Sequence, residues 1–309
     1  MPLEVALAAV FAVVTGVNDG GALLATGHKL PTVRPCAGIA VMVAMNALVP
    51  LLTHEVARTF THRLAAFDGP GGARAVVVGV GAALVIVLAL NHYGKPTSLT
   101  LAIVGGLTGA GLGWGFPVSA GSVALVLAVA LVAPFAGALA APLASRLMAA
   151  VTTGAGLRRW HWIGFILQCG AYAANDGQKT LAVFTIALGA SGAPLPVTLV
   201  AAALFGIGAL CGIRGTGRTL SREIIAARPL HGVAAETGSA LTVMGCAAAG
   251  MPVSMTQALA GGLVGAGMAQ GAGRVRWHAA AKIALAWLIT LPSSAVLATA
   301  AAWVTRGLT

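Results

Sequence analysis

Long apolar runs separated by short polar stretches dominate the chain. The runs consist mainly of Ala, Leu, Val and Gly, and the polar stretches hold most of the Arg and Lys residues. A membrane-spanning helix needs about 20 apolar residues, so the pattern predicts about ten crossings, some of them short or interrupted by Gly. The chain is therefore expected to be an all-α integral membrane protein.

The composition supports the same expectation. Of the 309 residues, 58% are hydrophobic and 8% are charged, against about 25% charged in an average soluble domain. The 42 glycines favour close helix packing, because helices in lipid associate through small residues. The first run, Leu3–Thr15, lacks basic residues before it and a small-residue cleavage site after it, so we expect a retained helix and not a signal peptide.

The formal net charge of +11 comes from basic residues placed between the apolar runs. Such residues orient a membrane protein, so nucleic acid is not an expected partner and the lipid bilayer is. Cys36, Cys169, Cys211 and Cys246 show neither metal-ligand nor disulfide spacing and are expected to be packing residues. Neither a nucleophilic triad nor an ATP-binding phosphate loop is visible, so neither an enzyme nor a cofactor is predicted.

The chain contains an internal duplication. Residues 96–111 match residues 252–267 in their Pro, Ser and Thr positions and throughout a Gly-Gly-Leu-x-Gly-Ala-Gly tail, at an offset of 156. Asn18-Asp19-Gly20 recurs as Asn175-Asp176-Gly177 at an offset of 157, and 58–63 resembles 218–223 at an offset of 160. We predict two membrane repeats, 1–151 and 160–309, with a linker at 152–159. An odd count, about five helices per half, would make them inverted repeats.

Each Asn-Asp pair follows an apolar run and precedes a glycine. A simple interpretation is that each Asp caps the next helix, since Asn-Asp-Gly is common turn chemistry. A carboxylate inside the membrane is costly, however, so a duplicated one favours function. Asp19 and Asp176 are therefore predicted to line a transport path, where they could hold coupling cations such as Na⁺ or H⁺.

The Pro-x-Ser-x-Thr segments are predicted to start broken or re-entrant helices. A proline in the first turn, followed by hydroxyls and free N–H groups, suits an anion because the helix dipole is positive there. The alternative is that the hydroxyls bond back to their own helix. Duplication in register favours the anion site, which would include Ser98 and Thr100 from one half and Ser254 and Thr256 from the other.

These residues resemble the inorganic phosphate transporter (Pit) family. Gly16–Ala22 resembles the family's duplicated Gly-x-Asn-Asp signature, and Ala174–Lys179 is similar to the second copy in bacterial low-affinity permeases. The Pro-x-Ser-x-Thr segments resemble its Pro-[Val/Ile]-Ser-Thr-Thr-His elements. Gly232–Glu236 is similar to its Gly-Phe-Ala-Ala-Glu element, and 277–292 to its closing helix.

The resemblance implies a cation-coupled phosphate symporter in a bacterial plasma membrane, with coupling ion H⁺ or Na⁺. Phosphate would lie between eight residues: Asn18, Asp19, Ser98, Thr100, Asn175, Asp176, Ser254 and Thr256. Lys179, Thr97 and Gln257 would support these residues or the coupling ion. The chain departs from the family at Leu101 and Gln257, which stand where His is usual.

Two further charged residues lie near these motifs. Lys179 is three residues after Asp176, within pairing distance on a helix. Its ammonium could take the place of a coupling cation near Asp176 or contact the anion, which favours proton coupling over coupling to two sodium ions. A snorkelling interfacial lysine is the simpler alternative. Glu236 has no counterpart in the first half, so a structural pairing with Arg222 or Arg228 is favoured over a place on the path.

Three functional alternatives stay open at this point. A sulfate permease would use the same frame, because sulfate resembles phosphate in size and shape. A passive anion channel or a non-transporting membrane scaffold would also keep the duplication. A homo-oligomer and transport of a metal-phosphate complex are likewise left open by the residues.

Overall fold

The computed structural model describes residues 3–25, 32–67, 69–93, 95, 97–151, 156–189, 192, 194–213, 224 and 229–307. Within those ranges the regular elements are helices. The first half contains α1 (Leu3–Thr15), α2 (Gly21–Ala25), α3 (Pro35–Leu48), α4 (Glu55–Arg58), α5 (Gly72–His92), α6 (Leu99–Trp114) and α7 (Ala120–Val151). The second half contains α8 (Gly156–Tyr172), α9 (Gln178–Leu188), α10 (Leu195–Gly212), α11 (Pro229–Ala248), α12 (Met255–Met268) and α13 (Trp277–Gly307).

Five of the described helical segments are long and apolar enough to cross a membrane. They are Leu3–Leu24, Gly72–His92, Ala120–Val151, Leu195–Gly212 and Trp277–Gly307. The predicted all-α membrane fold is confirmed. Helices α6 and α12 have 16 and 14 residues, so at 1.5 Å per residue they are shorter than a hydrocarbon core of about 30 Å. The broken or re-entrant helices were expected at these two places.

The order of elements repeats along the chain. Helices α5 and α11 begin 157 residues apart (229 − 72), α6 and α12 begin 156 apart (255 − 99), and α7 and α13 begin 157 apart (277 − 120). The duplicated sequence therefore folds into duplicated elements. The inverted orientation of the two halves stays a prediction.

The division between the halves also stays a prediction. Helix α8 begins at Gly156, so the last four residues of the proposed 152–159 linker belong to the first helix of the second half. Residues 152–155 lie outside the described residues.

The glycines of the repeated tail bring helices from opposite halves into direct contact. Helix α6 packs on α13, and α12 packs on α7. A Cβ atom at Gly109 would collide with the backbone of Ala295 on α13, and one at Gly265 would collide with Ala138 on α7. Each half thus contributes its short helix to a surface formed by the long last helix of the other half.

Helices α6 and α12 each also pack against the preceding long helix of their own half. Helix α6 packs on α5, and α12 packs on α11. The backbone of Gly106 meets that of Gly79, and Gly262 approaches Ala235 in the second half. The absence of large side chains at these places lets both helix pairs pack closely.

Candidate transport site

Asn18 and Asp19 lie within a helix and not at its end. They belong to a π-helical turn, Gly16–Gly20, that joins α1 directly to α2. The alternative interpretation, in which the Asp caps the next helix, is wrong here, because the backbone stays helical across the motif. Single π-turns inside α-helices are frequent at functional sites, since the wider turn leaves local backbone groups less regularly bonded.

The second motif has the same local structure. Asn175 and Asp176 lie in a π-turn, Ala173–Gly177, between α8 and α9. The capping interpretation fails for this pair for the same reason. All four motif side chains are buried, with 0–4% of their surface exposed.

Helices α6 and α12, called the two short helices from here on, begin next to these turns. Ser98 is the N-cap of α6, and its hydroxyl accepts a hydrogen bond from Leu101 N at 3.2 Å. Ser254 is the N-cap of α12, but its Oγ lies 2.9 Å from Thr256 Oγ1 and makes no cap bond. Pro252 therefore precedes the cap and is not in the first turn as predicted. Pro96 lies outside the described residues.

The hydroxyls of Thr100 and Thr256 reach across to the opposite half. Thr100 Oγ1 donates to the carbonyl of Val253 at 3.1 Å, and Thr256 Oγ1 donates to the carbonyl of Thr97 at 3.4 Å. The alternative that the hydroxyls bond back to their own helices is therefore wrong for these two threonines, whereas it holds for Ser98, which bonds Leu101 N of its own helix. The starts of α6 and α12 face each other across one shared centre.

Lys179 is part of the same centre. Its ammonium donates to Asp176 Oδ1 at 2.7 Å, Thr100 Oγ1 at 2.6 Å and the Val253 carbonyl at 2.6 Å. The side chain is 1% exposed, so the interpretation as a snorkelling interfacial lysine is wrong. Three oxygen acceptors saturate the three donors of the ammonium group.

Asp19 has a different set of partners. Asn18 Nδ2 donates to Asp19 Oδ1 at 2.6 Å and to the Thr97 carbonyl at 3.2 Å. Tyr172 OH donates to Asp19 Oδ2 at 3.4 Å. The first carboxylate is therefore held by an amide and a phenol, whereas the second is held by a full positive charge.

Asn175 ties the second motif to the segment before α12. Its Nδ2 donates to the Met251 carbonyl at 3.2 Å, and its Oδ1 accepts from Val253 N at 3.2 Å. The structure thus brings the eight residues predicted to bind phosphate together, with the predicted supporting residues Thr97 and Lys179 beside them. Their role in binding the anion stays a prediction.

Gln257 and Leu101 lie on the apolar side of the centre. Both line a cavity of about 570 Å³ between α7 and α13, with Leu131, Phe135 and Trp287 on its other walls. Gln257 is 3% exposed, and its Oε1 has no hydrogen-bond partner. Within the described part of the chain, Gln257 makes no polar contact that would support its predicted role.

Glu236 also lies outside this centre. Its Oε1 is 3.6 Å from His161 Nε2, and both side chains are buried. The predicted partners Arg222 and Arg228 lie outside the described residues. His161 was not singled out in the sequence, because a lone His in an apolar run carries no signal of its own.

Three more contact residues were missed in the sequence. Tyr172 reaches Asp19 from the second half, and Thr290 Oγ1 on α13 lies 2.8 Å from Thr97 Oγ1. Gln178 Oε1 accepts from Val56 N and Ala57 N at 3.0 Å each, which holds the start of α4 against the second motif. Of these three residues, Gln178 alone could have been suspected from the sequence, because it directly precedes Lys179.

Comparison with known proteins identifies the family. The profile of the phosphate transporter family (PHO4) matches residues 152–298. A relative from Mycobacterium tuberculosis (strain CDC 1551 / Oshkosh), named "Probable low-affinity inorganic phosphate transporter", is 30% identical over 94% of this chain and 74% of its own length. The chain belongs to the phosphate transporter family. The predicted family resemblance is confirmed, and because the family members are transporters, the chain is assigned as a transporter and not an enzyme.

Two further comparisons extend across the whole chain. A relative of the same name from Bacillus subtilis (strain 168) is 26% identical over 96% of this chain and 94% of its own length. A solved structure named "The sodium-dependent phosphate transporter" superposes with a TM-score of 0.84 over 99% of both chains, at 17% sequence identity. At that identity the solved structure supports the fold alone.

Proposed function

We propose that this chain takes up inorganic phosphate across a bacterial plasma membrane by symport with a cation, H⁺ or Na⁺. The observation that carries the proposal is the charge of the buried centre. Asp19, Asp176 and Lys179 are all at most 4% exposed, and when ionised they sum to −1. An anion entering a centre of that charge is repelled in a low-dielectric interior, so a cation or proton must accompany it.

The anion would bind where the two short helices meet. The first turns of α6 and α12 offer backbone N–H groups at the positive ends of their dipoles. Asn18 and Asn175 add amide donors, and Ser98, Ser254, Thr100 and Thr256 add hydroxyls, which we propose rearrange from the contacts described above when the anion binds. Phosphate carries a proton that it can donate to Asp19 or Asp176, whereas sulfate at neutral pH cannot, which favours phosphate.

The repeat indicates where the coupling cation would bind. The three oxygens around the Lys179 ammonium come from Asp176, Thr100 and Val253. At offsets of 157, 156 and 156, their counterparts are Asp19 in the first motif, Thr256 on α12 and Thr97 before α6. In place of Lys179 the first half has Ala22, so this matching oxygen set has no built-in ammonium.

We therefore propose one coupling-cation site, at Asp19, and a Lys179 ammonium in place of a second cation at Asp176. A carboxylate, a hydroxyl and a carbonyl are oxygen ligands that suit Na⁺, and the same carboxylate can take H⁺. A site already filled by an ammonium favours coupling to one proton over coupling to two sodium ions.

Uptake by purified protein in proteoliposomes tests the proposal. Radiolabelled phosphate and sulfate would be offered under an imposed sodium gradient, an imposed proton gradient, or neither. We expect concentrative phosphate uptake under at least one cation gradient, and a loss on the order of a hundredfold in Asp19→Asn, which is about 2.7 kcal/mol. Glu4→Gln, which changes a carboxylate in the first turn of α1, is the matched control and should retain uptake.

Each alternative function gives a different result. Uptake that follows the phosphate gradient alone and ignores ionophores would indicate a channel. Sulfate uptake that exceeds phosphate uptake would indicate a sulfate permease. No uptake of either anion, together with tolerance of Asp19→Asn and Asp176→Asn in cells, would indicate a scaffold and overturn the proposal.

A further inference from the structure

A second buried polar cluster lies away from the transport site, between α8 and α11. His161 is 1% exposed, Glu236 is 0% exposed, and their Nε2 and Oε1 atoms are 3.6 Å apart. Neither ring nitrogen of His161 and neither oxygen of Glu236 has a hydrogen-bond partner. The amide of Gln168, two turns after His161 on α8, is also buried and has no partner for its nitrogen or its oxygen.

The two helices approach closely at this level. A Cβ atom at Gly164 would lie 2.8 Å from Thr237 Oγ1 and 3.7 Å from Glu236 Oε2. The glycine therefore lets α11 bring its carboxylate against α8. The pair is buried by direct helix packing.

The pair has no equivalent in the first half, so it does not follow from the duplication. At an offset of 157, the first-half position matching His161 is Glu4. At the offset of 156 that relates Gly79 to Ala235, the position matching Glu236 is Val80. A carboxylate opposite an imidazole is thus specific to the second half.

Charge restricts the states that this pair can adopt. An isolated ionised carboxylate or imidazolium in a membrane interior is strongly unfavourable. With one proton between them, the pair is either imidazolium with carboxylate or imidazole with carboxylic acid, and both are neutral overall. A second proton gives +1 and loss of the proton gives −1, so any change in the protonation of the pair places a net charge between α8 and α11.

A metal ion is a poor occupant for this cluster. The described residues contain no group of three or more His, Cys, Asp or Glu side chains that could hold one. One imidazole and one carboxylate are few ligands even for a hydrated ion. A proton needs only the two groups that are present.

Other titratable groups lie on the helices that pack against the pair, but they make no hydrogen bond to it. Within the described ranges these groups are Arg158, Arg159, Cys169 and Tyr172 on α8; His231 and Cys246 on α11; Cys36 on α3; Arg146 on α7; Glu55 and Arg58 on α4; and Asp176 in the second π-turn.

Both helices lead to the transport site at their other ends. Helix α8 runs into the π-turn that carries Asp176, fifteen residues or roughly 20 Å from His161. Helix α11 leads into the segment whose Val253 carbonyl accepts from Lys179. A change in the spacing of α8 and α11 at the pair therefore reaches both sides of the Lys179 contacts.

We propose that His161 and Glu236 form a buried proton-binding site, separate from the phosphate site, that makes transport depend on pH by setting the spacing of α8 and α11. The proposal rests on the proposed transport function, because phosphate exchange is its readout. Its ligand is a proton from the adjoining aqueous phase. The pair is a positioning device and does not touch the anion.

Phosphate exchange at equal pH on both sides tests the proposal, since exchange needs no gradient. Radiolabelled phosphate would be exchanged for unlabelled phosphate in proteoliposomes between about pH 5 and pH 8, the range in which His titrates. The ratio of variant to wild-type exchange at each pH cancels the titration of phosphate itself. We expect this ratio to change about threefold or more for His161→Gln and for Glu236→Gln across that range.

Matched controls come from the same chain. Glu4→Gln changes the carboxylate at the first-half position, and His278→Gln changes an exposed His at the start of α13. Both should give a ratio that is constant with pH. A constant ratio for His161→Gln and Glu236→Gln as well would overturn the proposal.

A second measurement keeps the test decisive if a single variant does not fold. The double variant His161→Leu, Glu236→Leu replaces the pair by apolar side chains. Proteins often keep or gain stability when a buried ion pair is replaced in this way. We expect the difference in thermal unfolding temperature between wild type and this variant, in detergent, to change with pH. A difference that stays constant with pH contradicts proton binding, and because it requires no transport, it separates this failure from failure of the proposed function.

Discussion

The two Asn-Asp turns share a backbone conformation but differ in what neutralises the carboxylate. Asp176 contacts the Lys179 ammonium at 2.7 Å, whereas Asp19 contacts the Asn18 amide at 2.6 Å and the Tyr172 phenol at 3.4 Å. One residue accounts for the difference in charge, since Ala22 stands where the second half has Lys179. Duplicated chains can thus keep a paired scaffold while one copy carries a lysine beside its carboxylate, and in the proposed function this leaves Asp19 as the site of the mobile cation.

Removing the built-in charge makes the second half resemble the first, and we expect it to have the largest effect. Lys179→Met leaves the Asp176 carboxylate buried without its partner, which costs about 3–5 kcal/mol. Thermal unfolding in detergent should show a large loss of stability that added sodium partly restores. The double variant Lys179→Met, Asp176→Asn removes both charges and should recover stability without any response to sodium. Equal stability of Lys179→Met and wild type would contradict the assigned charge pair.

Adding a charge to the first half makes it resemble the second. Ala22→Lys places an ammonium three residues after Asp19, so we expect phosphate binding that no longer needs an added cation. Uptake should fall on the order of a hundredfold, because the cation is then part of the chain and cannot be released. Isothermal titration and uptake measure the two effects.

Ala22→Met is the matched control for Ala22→Lys, because it adds similar bulk without charge. It should weaken packing and leave the cation dependence of phosphate binding unchanged. If both variants bind phosphate with the same cation dependence as wild type, the cation site does not lie at Asp19.

The caps of the two short helices provide the smallest expected difference. Ser98→Ala removes the bond that Leu101 N makes to the Ser98 hydroxyl, which should lower stability by about 1 kcal/mol. Ser254 makes no such cap bond, so Ser254→Ala should lower stability less. Chemical unfolding of the two variants side by side measures the difference, and equal losses would show that the two helix starts are equivalent.

Several features of the fold were accessible from the sequence because they depend on local pattern. The apolar runs predicted the helices, and the Gly-rich tails predicted close packing of α6 and α12. The backbone of the Asn-Asp turns was not predictable in the same way. Asn-Asp-Gly is common in chain reversals, and only the packing of the surrounding helices keeps residues 16–20 and 173–177 in a continuous helix.

The sequence predicted most residues of the candidate site, but few of the contacts between them. Repetition singled out Asp19 and Asp176, and helical spacing placed Lys179 beside Asp176. The contacts of Tyr172 and Thr290 depend on chain separations of 153 and 193 residues, which no local pattern reveals. The same holds for His161, whose partner Glu236 comes from another helix.

The exchange of short helices between the halves bears on how such a chain can be assembled. A half made alone would leave the glycine face of its short helix against lipid, where small side chains fill space poorly. Two identical half-length chains would complete one another through the same exchange, as an intertwined pair. The single chain thus keeps the contacts of a swapped dimer, and we expect a chain cut between α7 and α8 to insert stably only when both pieces are made together.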